Sequence, residues 1–174
     1  MKKIISILII SIFLISLSSV YAADGDVLWE KIGPNGYVYD VAVDSKDNII
    51  IVQDVGTRKY DPNGNLLKEI SFGYNGVAVD SKDNIIITGG IGTRKYDPNG
   101  NLLKEISFNG NDVAVDSNDN IIIAGASTRK YDPNGNLLAE ISFYGYRVAV
   151  DSKDNILIDN GSFTTRKYSS TGTS

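Results

Sequence analysis

Any chemistry in this chain has to be done with carboxylates, amides, lysines and phenols, because its 174 residues include neither histidine nor cysteine. That double absence removes the usual zinc, copper and haem ligand sets, and with them imidazole acid–base catalysis. The carboxylates are the next place to look. Asp44, Asp47 and Asn48, repeated further along the chain, are hard oxygen donors of the kind calcium takes. They lack the spacing of an EF-hand loop, and turn formation already accounts for them. No cofactor is therefore expected, calcium being the one ion the composition leaves open. Asp40 and Asp112 are the carboxylates to consider for a lyase or hydrolase. Neither has a nucleophile–base pair beside it in the sequence, so a non-catalytic protein is expected. Arg58, Lys59 and Tyr60 look like a basic–aromatic stripe, but the trio recurs unchanged and reads as a solvated strand face with alternating core contact. The only Trp, Trp29, suits a packing role near a seam, or stacking on a sugar. Asn160-Gly161-Ser162 is a glycosylation sequon, meaningful where secreted proteins are modified.

The elements that hold these residues are repeats. Val-Ala-Val-Asp-Ser begins at Val41, Val77, Val113 and Val148, and Thr-Arg-Lys-Tyr at Thr57, Thr93, Thr128 and Thr165. A period near 36 residues signals units that bury their faces against one another. Within a unit four short β stretches follow in order: Val-Ala-Val, then residues 48–52, 57–60 and 66–72. All are rich in β-branched or aromatic residues and bounded by Gly, Asn, Asp or Pro. Asp61-Pro62-Asn63-Gly64 is a hairpin turn, with Pro fixing φ and Gly taking the left-handed position. Asp44-Ser45-Lys46-Asp47-Asn48 is a second turn, with Asp or Asn in that position. The Ile-Ile-Ile run lacks polar alternation, so its strand needs cover on both faces, which stacked sheets supply. The expected fold is all-β: a β-propeller of four four-stranded antiparallel blades.

Blades are expected at 41–72, 77–108, 113–143 and 148–168, followed by a polar tail at 169–174. The last blade lacks a fourth strand, and residues 27–32 resemble one, so the ring is expected to close by the N-terminal strand completing the last blade. Residues 1–22 read as a signal peptide, with Lys2 and Lys3 ahead of an apolar run and Val20-Tyr21-Ala22 as the cleavage site. A retained anchor is the alternative, although the run is short for a membrane span of about 20 residues. Cleavage leaves a propeller of residues 23–168 in a secreted, periplasmic or cell-surface protein. Without Lys2 and Lys3 there are 15 basic against 21 acidic residues, a net charge of −6. Such a surface argues against nucleic acid or anionic membrane as a partner.

The run from Leu28-Trp29-Glu30-Lys31 through Val41-Ala42-Val43-Asp44-Ser45, with Lys59-Tyr60-Asp61-Pro62-Asn63-Gly64-Asn65-Leu66, resembles the SBBP and NHL-type β-propeller repeats of secreted bacterial and archaeal proteins. The resemblance implies the fold and is nearly silent on function, since such propellers host binding, scaffolding and enzymatic roles. Lyases and lactone hydrolases of this kind use His or a metal held by scattered acidic residues. None of those residues carries over to this chain.

Comparing the units with one another locates a face. In an up-and-down blade, the first-to-second and third-to-fourth turns share one side of the ring, and here they barely change. The second-to-third and inter-blade loops share the other side, and they change at once. Inter-blade residues Tyr37, Tyr39, Asp40, Tyr74, Asn75, Asn109, Asn111, Asp112, Tyr144, Tyr146 and Arg147 form the candidate ligand-binding set. Tyrosine offers contact area at low entropic cost, and Asn and Asp add hydrogen bonds. Unconstrained drift of surface loops would give the same variation. The function expected is a binding module for a protein or glycan. The alternatives are a purely structural repeat, or a half-ring that pairs with a second copy, so either a monomer or a homodimer.

Overall fold

The computed structural model describes residues 37–172. Among these described residues, fifteen strands fall into four antiparallel sheets, each in strictly sequential order. The first sheet holds β1 (Val38–Val43), β2 (Ile49–Gln53), β3 (Gly56–Tyr60) and β4 (Leu66–Ile70). The second holds β5 (Val77–Val79), β6 (Ile85–Gly89), β7 (Gly92–Tyr96) and β8 (Leu102–Ile106). The third holds β9 (Gly110–Val115), β10 (Ile121–Gly125), β11 (Thr128–Tyr131) and β12 (Leu137–Ile141). The fourth holds three strands among the described residues, β13 (Arg147–Val150), β14 (Ile156–Asp159) and β15 (Thr165–Tyr168).

Local chemistry makes the hairpins. In the first turn Asp44 Oδ1 accepts the Lys46 and Asn48 backbone N–H groups, and Asp47 sits in the left-handed region at φ 60°. Asp83, Asp119 and Asp154 repeat that conformation at φ 62°, 62° and 61°. Asp and Asn tolerate it because the short polar side chain bonds locally. In the second turn Gly64, Gly100 and Gly135 take the left-handed position that follows Asp-Pro-Asn. The segments Val38–Asp40 and Gly110–Asp112, together with Arg147, belong to strands rather than to the loops expected for them.

Three apolar clusters fill the spaces between successive sheets. Ile50, Val52, Ile70 and Phe72 of the first sheet meet Val77, Ile85, Ile87 and Tyr96 of the second. Ile86 and Ile106 meet Val113, Ile121, Ile123 and Tyr131. Ile122, Ala124 and Ile141 meet Val148, Ile156, Ile158 and Tyr168. The Ile-Ile-Ile strands of the second and third sheets, β6 and β10, are thus covered on both sides, as their composition requires. Gly73, Gly110 and Gly145 sit where neighbouring sheets approach most closely. A Cβ on Gly145 would lie 2.6 Å from the Ala124 Cβ, and one on Gly73 2.9 Å from Ile87.

The array is open. Innermost strands pack in series, β1 on β5, β5 on β9 and β9 on β13. Val77, Val113 and Val148 are 5%, 5% and 9% exposed, whereas their counterpart Val41 is 56% exposed. The closed four-blade ring expected from the sequence is therefore not formed by the described residues. Among the described residues, no sheet lies against the outward side of β1. The strand at 27–32 assigned to closure, Trp29 and the signal segment 1–22 all lie outside the described residues.

Candidate variable-loop face

Strand direction sorts the connections as expected. The Asp-Ser turns of all four sheets and the Asp-Pro-Asn-Gly turns of the first three lie at one end, and the β2–β3 type loops and inter-sheet crossings lie at the other. At the variable end, one position recurs two residues ahead of each inner Val. It is occupied by Tyr39, Asn75, Asn111 and Tyr146. These four, one from each repeat, line a small cavity of about 70 Å³ together with Arg147. The Arg147 guanidinium lies 5.2 Å from the centre of the Tyr146 ring, within cation–π range.

The remaining candidates divide by role. Asp40 accepts the Val41 N–H at 2.9 Å and the Val77 N–H of the next sheet at 2.8 Å. Asp112 does the same for Val113 and Val148, both at 2.9 Å. Burial pushes the Asp112 carboxyl above its ordinary value, against the pull of those two backbone donors. Both aspartates are clamps between sheets. Asn75 donates to the Gly110 carbonyl at 2.6 Å, and Asn111 donates to the Gly145 carbonyl at 2.9 Å and the Tyr144 hydroxyl at 3.2 Å. The amides therefore join neighbouring sheets while forming the cavity wall.

Tyr37, Tyr74, Tyr144 and Tyr146 are half to four-fifths exposed, and Asn109 is exposed as well. Tyr39 is held by a hydrogen bond from its hydroxyl to Asp54, which raises the phenol above its usual value and lowers the Asp54 carboxyl. Asp54 also accepts the Tyr37 N–H at 3.0 Å. A second cavity, about 200 Å³, is lined by Asp54, Val55, Phe72 and Tyr74 among others. The loop tips Val55, Ile91 and Phe163 were not among the expected site residues, yet all three stand exposed at this end. Their signal was available: each is an apolar residue in a second-to-third loop, where nothing in the repeat pattern asks for one.

The constant end carries larger clefts, about 290 and 270 Å³, with matching linings such as Asp44, Lys46, Lys59 and Pro98 in one and Asp80, Lys82, Lys95 and Pro133 in the other. They recur with the repeat. Lys59 and Lys95 in these clefts, and the equivalent Lys130 of the third sheet, are buried and paired to Asp44, Asp80 and Asp116 at 2.7, 2.8 and 2.7 Å. Of the solvated face with alternating core contact that was expected, the core contact holds at the tyrosines, and the correction is that in the first three sheets the lysine is buried too. The lysine turns inward because the turn aspartate of its own sheet is there to receive it. The arginines stack instead, Arg94 over Phe72 at 4.4 Å and Arg129 over Phe108 at 4.3 Å. The Asp44 oxygens that a calcium ion would need already receive the Lys46 and Asn48 backbone groups, the Asn48 amide and Lys59.

The MORN repeat variant family matches residues 57–73, 93–109 and 127–143, the third and fourth strands of three sheets and well under half of the chain. No curated protein matches the sequence. Among solved structures, a virginiamycin B lyase from Staphylococcus aureus, with quinupristin, aligns at 13% identity and a TM-score of 0.68, over 83% of this chain and 56% of that one. The C-terminal WD40 domain of Sif2 aligns at 18% identity and TM-score 0.64, over 80% of this chain and 45% of that one. The computationally designed Ika4 protein aligns at 12% identity and TM-score 0.67, over 83% of this chain and 98% of that one. The chain thus spans about half the length of the lyase and the WD40 domain. At these identities the likeness concerns fold alone: four sheets arranged as in a β-propeller.

Proposed function

We propose that this chain is a secreted propeller-type binding module, recognising a protein or a glycan through its variable-loop face. The observation that carries the proposal is the convergence of one repeat position from all four sheets, Tyr39, Asn75, Asn111 and Tyr146, on a cavity beside Arg147. Around it, exposed Tyr37, Val55, Tyr74, Ile91, Tyr144 and Phe163 give an aromatic and apolar rim. Rigid aromatic side chains with adaptable amides are the chemistry of a recognition surface. The other end of each sheet is fixed by repeated turn networks that leave little to vary. A non-catalytic role is supported by Asp40 and Asp112, whose carboxylate oxygens are committed to backbone N–H groups. Secretion rests on the Lys2-Lys3 start, apolar run and small-residue site of residues 1–22. The kinship to SBBP and NHL-type repeats belongs to the same proposal.

A glycan array and a pull-down from the native extracellular milieu test it together. Against any partner found, the Tyr39→Ala/Tyr74→Ala/Tyr146→Ala variant should bind at least tenfold more weakly, since buried aromatic anchors dominate interfaces. Undiminished binding by that variant would remove the variable face as the site.

A further inference from the structure

We infer that the two outer faces of the array are the two halves of one more inter-sheet contact, and that a second copy of this chain supplies the missing half of each, closing a ring of two chains. The evidence is a hydrogen-bond series that breaks off at both ends in complementary fashion. Ser45 donates its N–H and hydroxyl to Asp83 of the next sheet at 2.9 and 2.8 Å. Ser81 does so to Asp119 at 2.9 and 2.8 Å, and Ser117 to Asp154 at 3.0 and 2.7 Å. The fourth donor in the series is Ser152 and the unused acceptor is Asp47. Both are exposed, and neither has a partner of this kind among the described residues.

The faces beneath them match in the same sense. On the first sheet, Val41 and Val43 are 56% and 57% exposed, and Ile49 and Ile51 are partly open where Ile85, Ile87, Ile121 and Ile123 are fully covered. On the fourth sheet, Leu157 is partly open at the position where Ile50, Ile86 and Ile122 are fully covered. The pair Lys167–Asp151, at 2.7 Å, has side chains 58% and 26% exposed. Its three counterparts have lysines at 6%, 7% and 10% and aspartates at 1%, because a following sheet lies over them.

One face is a donor face with Leu157, and the other is an acceptor face with Val41, Val43, Ile49 and Ile51. They are different surfaces, so the contact is heterologous, and such contacts close into rings when the rotation allows. A two-fold pair makes two further contacts of the kind each chain already makes three times, giving eight sheets, within the known range for propellers. A single added strand extends one sheet edge and does not cover a sheet face.

Light scattering on the purified full chain, with cross-linking, decides the matter. The chain contains no cysteine, so an Asp47→Cys variant mixed with a Ser152→Cys variant reports one contact when treated with a short bismaleimide. The expected results are twice the single-chain mass, and a cross-linked pair in the mixture but not in either variant alone. Val43→Arg, on a side chain already exposed, should halve the mass without loss of sheet signal in circular dichroism. A single-chain mass for the unmodified protein would overturn the inference, and so would a two-chain particle that shows no 47–152 cross-link.

Discussion

Asp80 shows what a single residue does here. Its carboxylate is buried, receives Lys82 and Asn84 backbone groups and the Asn84 amide, and holds Lys95 at 2.8 Å. Breaking a buried pair leaves an uncompensated charge, so Lys95→Ala should cost about 3–5 kcal/mol in urea denaturation, and a loss below about 1 kcal/mol would contradict the pairing. The same residues set the acid response. Burial pushes the Asp44 carboxyl up, but Lys59, Asn48 and the backbone donors outweigh it and hold it at about 2, below the ordinary 3.8. Asp80, Asp116 and Asp151 are lowered too. A depressed carboxyl stabilises the fold above its unfolded value, and that contribution is lost as pH falls toward the folded value. Asp112, raised by burial, works the other way, against these four and against Asp54, Asp97, Asp132 and Glu140, which are lowered as well. The urea midpoint should thus fall between about pH 4 and pH 2, and less steeply in Lys95→Ala. The turn role of these aspartates was legible from their spacing with Asn. Their pairing with lysine was not, because Asp80 and Lys95 meet only once the hairpin folds.

At the scale of strands and sheets, the hairpins were readable because turn residues carry their own conformational preference: Gly after Asp-Pro-Asn, and Asp in the left-handed position. The starts of β1 and β9 were not, since Val38–Asp40 follows the turn-favouring residues Gly33, Pro34, Asn35 and Gly36, and Gly110–Asp112 offers glycine and polar residues where a strand pattern asks for apolar ones. They are strands because Asp40 and Asp112 each bond to the next sheet's backbone, a relation between units that local pattern cannot show. The crossing glycines belong at this scale. Gly145→Ala would drive a methyl into Ala124, Thr128 and Ile158, and overpacking of this kind costs about 1–3 kcal/mol. Gly90, with open space around it, is the control and should accept Ala at little cost. Equal behaviour of the two variants in thermal unfolding would mean that the sheets do not approach as closely as described.

For the whole molecule, four units and one varied face followed directly from comparing the repeats with one another. Ring closure did not, because it depends on whether the first and last faces find each other, and Val41, Val43 and Lys167 stay exposed where their counterparts are covered. Placing the candidate tyrosines and amides on one face needed only strand direction. Recognising Asp40 and Asp112 as clamps needed the sheets in place. The most direct test of the assembly is electron microscopy of the purified protein, by class averages viewed down the ring axis. The account predicts eight spokes around a central depression, formed by two chains related by a two-fold axis. Isolated four-spoke particles, whether closed rings or open arcs, would contradict it.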